Sequence, residues 1–392
     1  MRKDISILYI SYIIVLLITT DYINFDESLQ IFSDQVTYFK IIKNAPYLPA
    51  DPLDSYQAQR FFFPFVIGTI INFFELSNYI REFLIVINVL LIFIIILILN
   101  NLFEKENTDK IFYPFLISII LFNPYFLRSF FYAPLMINDL IFSLGSIFFI
   151  LGFKNKNIHI LIISILICAL SRQTTMIFIP LLFGMFIFEK KIKININRFW
   201  YLFFILEIIF IFFLTIFISS EFSKNLSFNQ VLFGIFYFDY DLNDLILFLL
   251  RFYIANFIVF YFFYKFFINK LYLNLTLNNL ATILICFFLA LSFWAQPILA
   301  GPKIGGGNIA RLTVLSLPIF VYCISLILKN FKIEKRYLNL SILLLILSSF
   351  HHKYSIIKFL EIYNGLFFAL LSLIISIIVI FILNKKMKLK KN

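Results

Sequence analysis

DQVTYFKIIKNAPYLPADPLDSYQAQRFFFPFVIGTIINFFE, Asp34–Glu75, is the stretch on which the topology turns. Its first part, Asp34 to Pro64, is the longest polar and amphipathic reach in a chain otherwise suited to lipid. Charge set beside hydrocarbon is costly unless something uses it. Its second part, Phe61 to Glu75, is apolar but interrupted early by Pro64 and Gly68. As a full span, it would carry the later basic loop at Lys154 to Lys156 to the outer side. As a re-entrant or interface-lying helix, it leaves every later basic loop on the inner side.

Hydrophobic residues make up 62% of the chain, with a mean hydropathy of +0.97, where a soluble domain holds about 45–50% apolar residues. Apolar runs of roughly 15 to 22 residues recur along it, each near the length needed to cross about 30 Å of hydrocarbon. The expected fold is an all-α polytopic membrane protein with about twelve transmembrane helices. Residues 1–392 form one integral membrane domain, and residues 21–81 form its first extracytoplasmic loop, with juxtamembrane or re-entrant helices.

The net charge of +12 does not describe a nucleic-acid binder, because the basic residues sit in short loops and interleave with no exposed aromatic platform. Lys154 to Lys156, Lys190 to Arg198, Lys329 to Arg336 and Lys385 to Lys391 are separated by even numbers of expected spans. By the positive-inside rule they face the cytoplasm, as do both termini, and the expected location is a bacterial cytoplasmic membrane. Cys168, Cys286 and Cys323 fall in apolar runs with no paired spacing, which predicts neither a disulfide framework nor a metal site.

Within Glu27 to Lys43 the apolar Phe32, Val36 and Phe39 recur at helical spacing, which predicts an amphipathic helix lying on the outer leaflet. Asp34 points away from that stripe and shares its face with Tyr38. Two readings stand for Asp34: a general base or metal ligand presented to a cavity, or a residue that solvates the polar face. Arg60 either binds a phosphate through its planar fork or snorkels to headgroups. Asp139 is a site acid or a helix N-cap. Arg172, in the break SRQTT between two apolar runs, is expected to have a partner or to line a wet path. GPKIGGGNIAR lacks the Lys-Ser/Thr ending of a phosphate loop and is expected to be a mobile outer loop that delivers Lys303 and Arg311. The FDYDLND acids cap a helix better than they bind calcium, His351-His352 lacks a third zinc ligand, and Asn225-Leu-Ser matches a glycosylation triplet.

Taken in order, these features resemble the type-C glycosyltransferases, polytopic enzymes that use polyprenyl- or dolichyl-phosphate sugars. They include the protein O-mannosyltransferases and the lipid A aminoarabinose transferase. The family's first outer loop carries a D-E-x-x-Y pattern, similar to DQVTY here, with Asp34 and Tyr38 aligned and Gln35 in place of the second acid. QRFFFP resembles its basic residue and proline before a juxtamembrane helix. Asp139 in LMINDL resembles its second acid, SRQTT its polar hairpin turn, and Arg311 followed by Pro318 its late basic motif.

The resemblance implies an inverting transfer of sugar from a polyprenyl-phosphate donor to a lipid, glycan or protein acceptor at the extracytoplasmic face. It implies Asp34 and Asp139 as catalytic acids, with Tyr38, Arg60, Arg172, Lys303 and Arg311 as substrate-binding residues. The replacement of the second acid by Gln35 leaves the need for a divalent cation open. A polysaccharide polymerase, or a flippase or transporter for lipid-linked oligosaccharides, is the alternative.

Overall fold

The computed structural model describes residues 3–19, 33–53, 55–192, 197–223, 242–305, 308–349 and 365–390. Asp239, Asp241, Asn225, His351, His352 and Phe32 lie outside them. The chain is helical nearly throughout. In chain order the helices are α1 (Lys3–Thr19), α2 (Ser33–Asn44), α3 (Phe62–Phe73), α4 (Ile80–Lys105), α5 (Tyr113–Leu121), α6 (Leu127–Tyr132), α7 (Ile137–Asn155) and α8 (Ile158–Ser171). They continue as α9 (Phe178–Ile192), α10 (Arg198–Ser220), α11 (Leu242–Ile268), α12 (Leu277–Gly305), α13 (Asn308–Val314), α14 (Leu317–Leu328), α15 (Lys335–Ser349) and α16 (Gly365–Lys386).

Among the described residues, four stretches are long and apolar enough to cross a bilayer: Ser77–Lys105, Ile137–Asn155, Arg198–Ser220 and Leu245–Ile268. Several of the other apolar helices are shorter, because polar or proline-bearing breaks divide the runs. The apolar run Ile111 to Leu127 is one such case. Its helix stops at Leu121, where the Asn123 side chain accepts from the Tyr125 amide and Pro124 offers no amide of its own. The stretch that follows it contains α6. α3, at 12 residues, is about 18 Å long and falls short of the hydrocarbon thickness on its own.

Two compact units make up the chain. One comprises Tyr22–Ile94 and Tyr132–Phe238, the other Met1–Asp21, Ile95–Phe131 and Asp239–Asn392. In the first, α2 lies directly on α3. Gly68 makes this approach possible, since a Cβ there would stand 2.5 Å from the Ile42 carbonyl oxygen and 2.6 Å from its Cα. One turn on, Asn72 donates to the Ile42 and Ala45 carbonyls and so satisfies the end of α2. Pro64, expected to interrupt the helix, sits in its first turn, where a missing amide costs little. α7 and α8 form a hairpin: left-handed Lys156 ends α7, and Asn157 caps α8 by accepting from the Ile160 amide. Asn88 of α4 donates 3.1 Å to the Pro134 carbonyl and anchors the approach to α7. The loop before α3 is tied to the end of α10 by the Leu53 amide on the Phe222 carbonyl and by the edge-to-face pair Phe61–Phe222.

In the second unit α5 and α14 are buried along their lengths. Short polar links join its helices: Asn123 to the Ala255 carbonyl, Asn256 to Thr313, and Trp294 to Ser316. Each satisfies a polar group that has no water to turn to. Glu106 accepts from Tyr322 and pairs with Lys329 at 2.9 Å. Phe331–Lys332 and Lys388–Leu389 form a two-stranded antiparallel ladder.

Candidate functional site

Asp34 stands in the first turn of α2, where a carboxylate is favoured by the helix dipole. The face it shares with Tyr38 is the buried one. Gln35, Tyr38, Ile41 and Ile42 are closed off, Val36 and Phe39 are half-buried, and Lys40 and Lys43 are exposed. This reverses the expected orientation, in which the apolar stripe was to define the helix's seat. The polar face turns inward because its groups find partners there. Asp34 Oδ1 accepts 2.8 Å from Gln57 Nε2, and Tyr38 meets Arg60.

Arg60 follows the one-turn helix Ser55–Ala58, held by its amide on the Gln57 carbonyl at 3.0 Å. Although it precedes FFFP, it does not reach out to headgroups: only 2% of it is exposed. Its Nε donates 3.0 Å to Gln173 Oε1, and its carbonyl accepts 2.8 Å from Asn138 Nδ2. The guanidinium also reaches the Tyr38 hydroxyl. Burial pushes that phenol up to about 12, with Arg60 pulling the other way and the carboxylates of Asp34 and Asp139 adding to the rise. Tyr38 therefore keeps its proton at neutral pH, within the field of both acids.

Arg172 lies in the break between α8 and the 3-10 turn Gln173–Ile177, with extended backbone. Its amide still donates to the Cys168 carbonyl at 3.0 Å as the last bond of α8, and from this extended position the long side chain turns back toward α7. Its NH1 pairs with Asp139 Oδ1 at 3.0 Å, both side chains being 3% exposed, and the ring of Phe142 lies 6.0 Å from the guanidinium carbon. Asp139 is thus the buried partner of an arginine, and no side chain caps the first amides of α7.

Five of the seven sequence-derived residues, Asp34, Tyr38, Arg60, Asp139 and Arg172, come together from four segments of one unit. Gln57, Gln173 and Asn138 join them. The signal for the two glutamines was present: each lies within a turn of an arginine in QAQR and SRQTT. The other two residues belong to the second unit. Arg311 is buried on α13, and the side chain of Lys303, on α12, lies outside the described residues. The expected glycine loop is helical as far as Gly305.

The open question of a divalent cation meets an unsuitable donor set. No group of three His, Cys, Asp or Glu forms among the described residues. The two acids share their cluster with two guanidiniums, which already supply the positive charge a metal would bring. What the cluster offers chemically is a half-buried carboxylate on Asp34, a protonated phenol and two buried guanidiniums in one low-dielectric setting. No protein-family model matches the chain, and no curated protein or solved structure is significantly similar to it.

Proposed function

We propose that this cluster is the active site of a membrane glycosyltransferase of the type-C kind, which moves a sugar from a polyprenyl-phosphate donor to a hydroxyl acceptor. The observation that carries the reading is the convergence of Asp34, Tyr38, Arg60, Asp139 and Arg172 on one buried network. In the reaction, the acceptor oxygen attacks the anomeric carbon while the bond from that carbon to the phosphate oxygen breaks, and the configuration inverts. Asp34 takes the acceptor proton, and the polyprenyl phosphate leaves with the electron pair. Arg60 neutralises the phosphate as its charge develops. Asp139 holds Arg172 in place and Tyr38 orients Arg60. Under this reading the chain has about twelve spans, counting paired shorter helices. Both termini are cytoplasmic and the site faces outward across a bacterial cytoplasmic membrane.

The test begins with lipids. Wild-type protein and Arg60→Ala, purified in mild detergent, are compared by mass spectrometry of the lipids they retain. Polyprenyl phosphate or its glycosylated form is expected in the first and absent from the second. With the donor so identified, Asp34→Asn is expected to lower kcat by about 10²–10⁴-fold. Unchanged turnover in that variant sinks the assignment of Asp34. Equal retention of ordinary phospholipids alone, in both proteins, moves the reading to a flippase or transporter.

A further inference from the structure

The second unit contains an arginine in a different condition. Arg128 of α6 is 0% exposed, and none of its three guanidinium nitrogens donates a hydrogen bond among the described residues. A guanidinium does not shed its proton, so neutralisation cannot relieve it. Among the carboxylates of this unit whose side chains are described, Glu104 is engaged with Asn100, Glu106 with Tyr322 and Lys329, Asp109 with the Ile111 amide, and Glu334 with Arg336, while the side chains of Asp4 and Asp244 lie outside the description. Asp109 and its neighbours precede α5, whereas Arg128 follows it, a helix length away.

What surrounds Arg128 is hydroxyl-bearing. Tyr12 of α1 lies within its electrostatic reach and close to the Ser349 hydroxyl at the end of α15. Tyr125, one turn before Arg128, is within reach of a further cation, Arg251 of α11. The setting therefore combines a buried five-donor fork with hydroxyl groups on two other helices, those of Tyr12 and Ser349.

We infer that Arg128 is the anchor of a phosphate-binding site in this unit, separate from the residues assigned to sugar transfer. The guanidinium supplies the charge and two parallel donors, and Tyr12 and Ser349 supply donors for the remaining oxygens. The phosphate arrives either as a lipid headgroup or as a free ion. Both present the same oxyanion.

The test uses the full chain in a non-ionic detergent, with thermal unfolding followed in inorganic phosphate, in micelles doped with phosphatidic acid, and in chloride at matched ionic strength. Phosphorus retained through purification is counted in parallel. Wild type is expected to be stabilised by one of the two phosphates, or to retain phosphorus already bound. Arg128→Leu is expected to show neither, while unfolding at or above the wild-type temperature in chloride, since an unpaired buried charge has been removed. Arg128→Lys, which keeps the charge and loses the fork, should bind about 10- to 100-fold more weakly. It carries the test should the leucine variant not fold. Stabilisation by inorganic phosphate marks a free-ion site, and by the lipid alone a headgroup site. Equal shifts and equal phosphorus in wild type and Arg128→Leu, or in wild type and Arg128→Lys, overturn the proposal.

Discussion

The two units bury arginine in opposite ways. In the Asp34 unit, Arg172 is matched by Asp139 at 3.0 Å and Arg60 by Gln173, so each charge enters the interior with a partner. In the other unit, the Arg128 guanidinium enters with no hydrogen bond among the described residues. A matched charge is part of the fold, because removing its partner strands it. An unmatched charge is a cost to the fold, and its retention points to a group that arrives from outside.

This contrast is broken most sharply by mutating on either side of it. Asp139→Ala leaves Arg172 buried without its carboxylate and should destabilise the protein by about 3–5 kcal/mol. Asp139→Ala combined with Arg172→Leu should recover much of that loss. Arg128→Leu should cost nothing in phosphate-free solution. Detergent-phase unfolding of these three variants beside wild type measures the contrast directly. A loss for Arg128→Leu as large as that for Asp139→Ala would falsify it.

A second test addresses how the Asp34 site is positioned. Gly68→Ala places a Cβ against the Ile42 backbone, which cannot move aside as a flexible side chain could. The expected cost is about 1–3 kcal/mol, with a fall in donor-lipid retention as α2 is pushed away and Asp34 moves from Gln57. Gly184→Ala on α9 is the control. A Cβ there meets nothing within 4 Å, and the change should be neutral or mildly stabilising. Equal behaviour of the two variants would mean that the α2–α3 contact does not position the site.

The sequence carried the residues of this site further than their arrangement. The pairing of Asp34 with Tyr38 followed from four-residue spacing, and the break at Arg172 from SRQTT. Which face of α2 turns inward did not follow. Amphipathic reasoning borrowed from water seats the apolar stripe, but in a lipid-solvated protein the polar face is the one that needs protein partners. The partner of Arg172 was likewise hidden, because the approach of α7 to the end of α8 depends on hairpin packing that no local pattern encodes. Gly68 was legible as an interruption and not as a contact, since a glycine's missing side chain says nothing about which backbone comes close. Arg128 lies in the apolar stretch FLRSFF, whose pattern does not say what surrounds its charge. Its burial emerges only once α6 is helical.

The smallest expected effect is confined to alkaline solution and concerns the partnered side of the comparison. A tyrosine in the unfolded chain ionises near 10, whereas Tyr38 in the folded protein does so near 12. Below pH 10 both states hold the proton, and the stability this contributes is fully present. Between about 10 and about 12 only the unfolded chain releases it, so the contribution declines as pH rises through that window. Tyr38→Phe has no such proton to lose. Its stability should follow that of wild type at a constant offset up to pH 10, after which the wild-type curve should fall more steeply. Measuring both proteins across that range cancels the other tyrosines and isolates this one. Parallel curves throughout would mean that the Tyr38 phenol is as free to ionise in the fold as outside it, and that Arg60 and the two carboxylates do not enclose it.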